Sequence, residues 1–299
     1  FNTQQSLDDF KRLVSQHGVC FIGQTKDICP ADKRMYALRD VTATVECIPL
    51  ICASIMSKKL AEGIDGLVLD VKVGTGAFMK TKKDATDLAK KLVAIAKAHG
   101  KSVVALLTNM NAPLGKAVGN SLEIEECIEV MKNAGPDDLR ELSVELAAHM
   151  ILLGGKAKTI DAARTMAEEQ LANGAALKKF EEIVKAQGGD LSQLPKAQSQ
   201  LAVSAQKNGY VKSVDSEQIG IASLLLGAGR TKTDDVIDPS AGIIIHKKPG
   251  DKVKRGEALV TLHFNDNKNL KSAIDYVERA YQISLQNSRP QRLILGVIK

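Results

Sequence analysis

Two polar side chains interrupt an otherwise apolar helical pattern near the start of the sequence. Pro49 can begin this helix, and the residues after it are largely apolar, yet Ser54 and Lys58 stand within it, four positions apart. At 3.6 residues per turn, such positions lie one above the other on the same side of a helix. The spacing therefore predicts that a hydroxyl and an ammonium group share one polar stripe, which needs a partner.

Arg39 is a third donor that could reach this stripe, because only a short segment separates it from the helix. A guanidinium, an ammonium and a hydroxyl, without a carboxylate among them, suit a planar ligand rich in carbonyl oxygens or one that becomes anionic as it reacts. Taken singly, each side chain is explained as well by a solvated charge or by a cation near a helix end. Only their convergence would make a binding site.

A glycine-containing loop is the second candidate. Residues 73–81, VGTGAFMKT, join a predicted strand to a predicted helix, and Gly74 and Gly76 would let backbone N–H groups approach an anion or a ring. Met79 stands where a dinucleotide fingerprint needs its third glycine, which argues against a nicotinamide site. A plain tight turn explains the loop equally well.

The other titratable residues give weaker signals. Asp70 lies near the end of a predicted strand, where catalytic groups of open α/β sheets are often found, but an ion pair with Lys72 explains it as well. The histidines show no metal-ligand spacing and no recognisable pairing with a nucleophile, so we interpret each as structural or solvated. They are His17, His99, His149, His246 and His263.

Composition narrows the class of protein and of ligand. The 299 residues are 44% hydrophobic and 25% charged, proportions that allow a buried core. The formal charge of +6 is spread without long blocks of one sign and aromatic residues are scarce, which favours small anionic ligands over nucleic acid.

The five cysteines contain no C-x-x-C pair, which predicts reduced thiols and a cytoplasmic location. No apolar run approaches a membrane span, so we expect no membrane partner.

Short apolar runs separated by helical patterns predict a parallel sheet. The runs at residues 18–24, 66–73 and 102–108 are rich in Val and Leu, as buried parallel strands are. Between the last two runs, Thr81 can cap a helix that ends at Gly100, which makes a βαβ unit. Helical patterns that each end at a glycine follow over residues 122–135, 136–155, 159–174 and 175–189.

From Ala202 onward the pattern changes to short strands around one apolar helix. Residues 242–264 resemble the half-barrel of biotinyl and lipoyl carrier domains. We therefore predict an α/β fold with a mostly parallel sheet flanked by helices, plus a helical-lobe segment and a C-terminal α+β half-barrel-like module. The predicted division is a catalytic α/β region at residues 1–200, with 31–62 contributing to the helical lobe, and the C-terminal module at 201–299.

Several motifs stand out along the chain: FIGQT, PADKRMYALRDVTATV, SIMSKKLAEG, DVKVGTGAFM and NMNAPLGKAVGNSLEIEECIEVM. Together they closely resemble thymidine phosphorylases and pyrimidine-nucleoside phosphorylases, and the resemblance covers essentially the whole chain. It implies a pentosyltransferase in which phosphate, as co-substrate, splits thymidine into its base and 2-deoxyribose 1-phosphate. It also implies no organic cofactor, a homodimer formed through the helical lobe, and a cleft that closes during turnover.

The resemblance further implies which residues hold the pyrimidine. Arg39, Ser54 and Lys58 would bind the base, with Tyr36 nearby. Arg39 and Lys58 would act catalytically, because negative charge gathers on the base as the glycosidic bond breaks. The walls that hold the ring and its 5-substituent would be Val45, Ile51, Ile55 and Phe78.

A monovalent cation is another expectation from the resemblance, because some members of the family bind one between their domains. Its ligands would be the backbone carbonyls of Leu114 and Ala117 and the side chain of Glu126. A helix cap at Asn120 or Ser121 explains most of the same segment equally well.

Members of the family begin with a helical region and a phosphate site that includes a catalytic His. Because this sequence opens at Phe1 without an initiating Met, we expect it to correspond to roughly the carboxy-terminal two-thirds of such a protein. We further expect these residues alone to bind a pyrimidine weakly and to turn nothing over.

Three alternatives to a thymidine phosphorylase stay open at this point. The first is a pyrimidine-nucleoside phosphorylase that accepts uridine as well as thymidine. The second is a non-catalytic nucleotide sensor built on a degraded phosphorylase. The third is a carrier domain that presents a modified lysine within residues 242–264, although the exposed hairpin that such domains use is not evident there.

Overall fold

The computed structural model describes residues 1–23, 28–42, 44, 46–230, 235–287 and 291–299. The helices are α1 (Leu7–His17), α2 (Pro30–Thr42), α3 (Ile48–Ala61), α4 (Lys82–Ala98), α5 (Asn120–Met131), α6 (Asp137–Leu153), α7 (Ile160–Ala172), α8 (Ala175–Ala186), α9 (Ser216–Ser223) and α10 (Leu270–Ala280). The strands are β1 (Gly66–Val73), β2 (Ser102–Asn109), β3 (Ala117–Val118), β4 (Ser199–Ser204), β5 (Gly209–Val214), β6 (Gly242–Ile245), β7 (Lys252–Val253), β8 (Ala258–Phe264), β9 (Tyr281–Ser284) and β10 (Ile294–Ile298).

The first sheet contains β1, β2 and β10 in that order. β1 and β2 are parallel and are joined by α4, so the predicted βαβ unit is present. β10 pairs antiparallel with β2, so the described sheet is mixed rather than mostly parallel. An α/β fold is confirmed, while the expectation of a mostly parallel sheet is confirmed only in part, because one of the two strand pairs in this sheet is antiparallel among the described residues.

The apolar run at residues 18–24 is not a strand, which corrects a second expectation; its last residue lies outside the described part. Gly18 ends α1 in the left-handed conformation, with φ 77°. Beyond it, the side-chain amide of Gln187 donates to Phe21 O at 2.7 Å and accepts from Phe21 N at 2.9 Å. A glutamine side chain therefore takes the place of a neighbouring strand, and the Phe21 ring packs against Phe180.

Local signals predicted several helix ends correctly. Thr81 Oγ1 accepts from the backbone N–H of Asp84 at 3.2 Å and caps α4, as expected. Gly100 follows α4 with φ 67°, the left-handed conformation that glycine adopts without strain. Pro49 lies in the first turn of α3, where its missing N–H costs no helical hydrogen bond.

The terminal module consists of two antiparallel sheets, ordered β3-β6-β8-β4 and β7-β5-β9, together with α9 and α10. Its core is a cluster of apolar side chains that include Ile219, Ile243, Leu262 and Val277. Strand pairing crosses the boundary predicted between residues 200 and 201, because β3 joins this module, β10 joins the first sheet, and β4 itself spans the boundary. The boundary itself stays a prediction.

The candidate site is carried by elements around the first sheet. Cys52 and Met56 of α3 belong to one buried cluster with Val73 of β1 and Met79 of the glycine loop. This packing places α3 beside the end of β1 from which the glycine loop begins. No α-helix in the described part of the chain has the length and apolar character that a bilayer crossing requires.

Candidate active site

A polar cluster lies between α2 and α3. Lys58 Nζ donates to Ser54 Oγ at 2.9 Å and to Asp32 Oδ2 at 2.5 Å. Arg39 Nη1 donates at 3.3 Å to the carbonyl of Leu50, which lies one turn before Ser54 on the same side of α3. The stripe expected from the sequence spacing is therefore present, and α2 is its partner.

The facing side of α2 follows the same helical spacing. Asp32, Tyr36 and Arg39 are separated by four and then three positions, so they share one side of the helix. Asp32 and Arg39 are each only 6% exposed. Arg39 Cζ lies 5.3 Å from the centre of the exposed Tyr36 ring, a cation–π distance. The buried guanidinium is thus supported by backbone carbonyls on one side and an aromatic ring on the other.

Asp32 is the site residue that sequence reasoning missed. The donors were expected without a carboxylate among them, and this expectation is wrong, because Asp32 forms an ion pair with Lys58. Its place four positions before Tyr36 and seven before Arg39, on the same side of α2, was the available signal. The cluster therefore brings Arg39, Lys58 and the carboxylate of Asp32 together between α2 and α3.

The arrangement can bind a planar ring that carries carbonyl oxygens. Because Ser54 Oγ accepts from Lys58, its own proton is left to donate to another acceptor. The Lys58 ammonium has three donors, of which Ser54 and Asp32 take two. A hydroxyl and an ammonium held side by side offer two adjacent donors to one ligand edge.

The apolar candidates lie beside this stripe or on the glycine loop. Ile51 and Ile55 are partly buried against the cluster formed by α3, α4 and the first sheet. At 100° per residue they lie between the polar stripe and the core-facing Cys52 and Met56. Phe78 belongs to the glycine loop and is 59% exposed, so most of its ring is accessible. Val45 lies outside the described residues.

The glycine loop is a packed turn whose backbone donors are used within the protein. Four consecutive N–H groups donate to protein acceptors, so they form no open cradle for an anion in this structure. The pairs are Gly74 N to Met79 O (3.0 Å), Thr75 N to Asn111 Oδ1 (3.1 Å), Gly76 N to Met110 O (3.0 Å) and Ala77 N to Gly74 O (3.0 Å).

Both loop glycines are required by close approach. Gly74 has φ 130°, and a Cβ there would come within 2.5 Å of Asn111 Oδ1. A Cβ on Gly76 would come within 2.5 Å of Ser216 Cβ, at the start of α9 in the terminal module. The loop is therefore clamped between the end of β2 and that module, which accounts for the glycines without a phosphate or a cofactor.

Comparison with known proteins decides the family. Residues 1–177 match the "Glycosyl transferase family, a/b domain", and residues 210–284 match the "Pyrimidine nucleoside phosphorylase C-terminal domain". The pyrimidine-nucleoside phosphorylase of Bacillus subtilis (strain 168) is 46% identical over 297 residues, which are 97% of this chain and 68% of that protein. The enzyme of the same name from Staphylococcus aureus (strain USA300) is 49% identical over 271 residues, 89% of this chain and 63% of that protein.

The chain belongs to the pyrimidine-nucleoside phosphorylase family. The family resemblance and the pentosyltransferase class predicted from the sequence are thereby confirmed. The chain spans about two thirds of the length of these relatives, 68% and 63%. Which side chains bind the substrate stays a prediction, since family membership alone does not assign them.

The cation expected from the family can be compared with the residues present. Oxygen ligands of the kind offered by Leu114, Ala117 and Glu126 fit a hard cation. Glu126, however, already has another use, because its Oε1 accepts from the N–H groups of Lys116 at 2.7 Å and Ala117 at 3.1 Å. Burial raises the pKa of this carboxyl group. The described residues contain no group of three or more His, Cys, Asp or Glu placed to hold a metal, so the cation stays a prediction.

The helix caps offered as an alternative for this segment are wrong. α5 begins at Asn120, and its N-cap is Gly119, which has no side chain. Glu123 Oε1 accepts from Gly119 N at 3.0 Å and so satisfies the N-cap N–H from within the first turn.

Two other titratable residues have structural explanations. Asp70 Oδ2 lies 2.6 Å from Lys72 Nζ, and Asp70 also accepts from the buried Thr108 hydroxyl, so the ion-pair interpretation holds. His149 in α6 is 3% exposed, and neither ring nitrogen has a hydrogen-bond partner among the described residues. Burial lowers the pKa of this histidine, although Glu145, 3.5 Å away, acts in the opposite direction.

Proposed function

We propose that this protein takes part in the phosphorolysis of pyrimidine nucleosides, with thymidine as a substrate, and that the α2–α3 polar cluster binds the base. The observation that carries the proposal is the Lys58–Ser54 stripe, backed by Asp32 and joined by Arg39, in a chain of this family. Phosphate attacks the anomeric carbon, the glycosidic bond breaks, and the base leaves with the bonding electron pair. The products are the free base and a pentose 1-phosphate.

The cluster suits this reaction because charge develops on the base. As the glycosidic bond breaks, negative charge spreads from the ring nitrogen to the carbonyl oxygens. Arg39 and Lys58 then bind the transition state more strongly than the neutral nucleoside, which is the condition for faster chemistry. Ser54 adds a neutral donor. Asp32 holds the Lys58 ammonium in one place, so little reorganisation is needed when the charge appears.

The same proposal gives the apolar residues a role. Ile51 and Ile55 flank the polar stripe, and Phe78 has an accessible ring on a fixed loop. Flat apolar surfaces of this kind hold a planar ring while the polar stripe orients its edge. Tyr36 would support Arg39 from the other side. Val45 belongs to this proposal from the sequence alone.

Phosphate is the co-substrate in this proposal. The reaction exchanges one nucleophile for another at a single carbon, so it requires no organic cofactor. We further propose a homodimer in the cytoplasm, with a monovalent cation at Leu114, Ala117 and Glu126. The names of the relatives support the nucleoside and, through the term phosphorylase, the phosphate.

The test of the base site compares two neighbouring lysines. Lys58→Met removes the ammonium of the stripe, and Lys59→Met removes an exposed lysine that pairs only with Glu62 among its described contacts. In the full-length enzyme, of which these residues are expected to be the carboxy-terminal two-thirds, we expect Lys58→Met to lower phosphate-dependent release of thymine from thymidine by about a hundredfold to a thousandfold. The Lys59 variant should stay within about twofold of wild type. Equal rates in the two variants would show that Lys58 does not take part in the reaction.

Substrate range and catalysis are tested separately. Release of uracil from uridine, measured beside release of thymine from thymidine, distinguishes a broad pyrimidine-nucleoside phosphorylase from a thymidine-preferring one. Titration calorimetry of residues 1–299 with thymine and with phosphate measures binding alone. Thymine binding without any phosphate-dependent base release by the full-length protein would favour the sensor alternative over the enzyme.

A further inference from the structure

A set of side-chain amides lies along the carboxyl edge of the first sheet. Asn109 is the last residue of β2, Asn111 follows it, and Gln291 precedes β10. Gln291 Oε1 accepts from Asn109 Nδ2 at 2.9 Å and from Asn111 Nδ2 at 3.0 Å. One acceptor near the carboxyl end of the chain thus joins both asparagines.

Asn111 also contacts the glycine loop. Its Oδ1 accepts from Thr75 N at 3.1 Å, and its backbone carbonyl accepts from Thr75 Oγ1 at 3.3 Å. A primary amide has one acceptor and one donor end. Because the donor end of Asn111 is turned toward Gln291, the acceptor end faces Thr75. Gln291 therefore sets the orientation that Asn111 needs to hold the loop.

Phe78 lies in the same turn as Thr75, so the contact with Asn111 also limits the movement of Phe78. The hydrogen bond from Gly74 N to Met79 O, at 3.0 Å, closes the turn that contains Thr75 and Phe78. A turn closed at both ends moves as a unit, so fixing Thr75 also restricts Phe78. The closeness of Asn111 Oδ1 to the position of a Cβ on Gly74 shows how little room the turn has to shift.

We propose that Asn111 is a positioning residue: oriented by Gln291, it holds the glycine loop so that Phe78 stands against the pyrimidine. Only the last step, the contact of Phe78 with the base, rests on the proposed function. The hold of Asn111 on the loop is a property of the protein without ligand and can be measured separately.

The variants separate hydrogen bonding from size. Asn111→Ala removes the two hydrogen bonds of the side-chain amide, one to Thr75 N and one to Gln291 Oε1. Gln291→Glu keeps an acceptor for the two asparagines, whereas Gln291→Met keeps the length but has no oxygen. Gln170→Met makes the same substitution at an exposed position on α7 and serves as the control.

The first measurement is amide hydrogen exchange within residues 74–80 of the unliganded protein. Loss of one hydrogen bond of about 1.4 kcal/mol should speed exchange at Thr75 about tenfold in Asn111→Ala. Gln291→Met should give a smaller increase, while Gln291→Glu and Gln170→Met should stay within about twofold of wild type. Unchanged exchange at Thr75 in Asn111→Ala would overturn the proposal.

The second measurement is thymine affinity by calorimetry, including Phe78→Ala and the double variant Asn111→Ala/Phe78→Ala. If Asn111 acts through Phe78, Asn111→Ala weakens binding in the wild-type background and adds nothing once Phe78 is removed. Faster loop exchange with unchanged thymine affinity, or full additivity in the double variant, would overturn the positioning role. If wild type binds no thymine but loop exchange follows the expected order, the proposed function fails and the hold of Asn111 on the loop is confirmed.

Discussion

The α2–α3 pair and the terminal module divide polar and apolar residues in opposite ways. In α2 and α3, Asp32, Arg39 and Ser54 are buried, while Met35 and Leu38 are exposed. In the terminal module the fully buried side chains are apolar, and they include Ile219, Ile243, Ile245, Val260 and Leu262. The α2–α3 region buries charged and polar groups as well as apolar ones and exposes some of its apolar side chains, whereas the terminal module follows the usual partition of a stable core.

This difference separates the parts of the molecule that bind from the parts that stabilise it. Burying a charged group costs free energy even when it is paired, so a partly buried ion pair such as Lys58–Asp32 is weak evidence for stability. The same exclusion of water strengthens the electrostatic attraction between these charged groups and a ligand. We therefore expect substitutions in α2–α3 to change base affinity more than stability, and substitutions in the terminal module to do the reverse.

The largest expected effect is that of Arg39→Ala on catalysis. Loss of the guanidinium removes a preorganised donor, so thymidine phosphorolysis by the full-length enzyme should fall about a hundredfold to a thousandfold. Arg34→Ala, an exposed arginine on the same helix, is the matched control and should change the rate little. Steady-state kinetics of both variants check this, and equal rates would contradict the role given to the buried arginine.

Leu262→Ala should show the opposite pattern. Leu262 is fully buried in β8, so its truncation should lower the free energy of unfolding by about 2 to 5 kcal/mol and leave thymine affinity unchanged. Its partner across the strands, Leu201, is exposed at the edge of the same sheet, and Leu201→Ala should cost much less. Urea unfolding and calorimetry test the pair. A large loss of thymine affinity in Leu262→Ala would contradict the division of roles, in which α2–α3 governs base affinity and the terminal module governs stability.

Asp32→Asn sharpens the account of the polar cluster. The amide keeps the shape of the side chain but removes the charge that holds Lys58, and hydrogen bonds to charged groups contribute about 1.5 to 3 kcal/mol. We expect thymine affinity to fall by about tenfold, less than for loss of Lys58 itself. Asp8→Asn, on the exposed surface of α1, is the control. Wild-type affinity in Asp32→Asn would mean that Lys58 needs no carboxylate to hold its place.

The smallest expected effect concerns His149, which lies outside both regions. Burial keeps its pKa below 6.5 in the folded protein, so as pH falls below about 6.5 the unfolded chain binds a proton that the folded chain does not. Stability should therefore fall with decreasing pH, and His149→Leu should lose less, by up to about 1.4 kcal/mol per pH unit. Urea unfolding at pH 7.5 and 5.5 measures this, with the exposed His99→Gln as control. Parallel losses in wild type and His149→Leu would assign the acid sensitivity to other groups.

Features set by neighbouring residues were the ones the sequence predicted well. The cap at Thr81, the first turn at Pro49 and the stripe of Ser54 and Lys58 each depend on spacings within one or two helical turns. Short-range geometry is the same wherever such a segment sits in a fold, so periodicity and capping rules suffice for it.

Features that depend on distant partners were missed. Residues 18–23 have the apolar character of a strand, but a side chain far along the chain, Gln187, supplies their backbone partner. The pairing of β10 with β2 likewise joins distant segments, and its direction is not encoded in either strand alone. Asp32 was not singled out from the sequence, because its partner Lys58 lies on another helix. The residue pattern of a short segment does not predict which distant side chains or strands that segment will contact.

The pairing of β10 with β2 also bears on the order in which the chain can fold during synthesis. β1, α4 and β2 leave the ribosome early, yet the strand that covers β2 emerges only after the whole terminal module. Until then one side of β2 lacks its neighbour and remains open to wrong pairing with other nascent chains. A chain that ends after β9 would thus contain every strand of the terminal module while its first sheet still lacks β10.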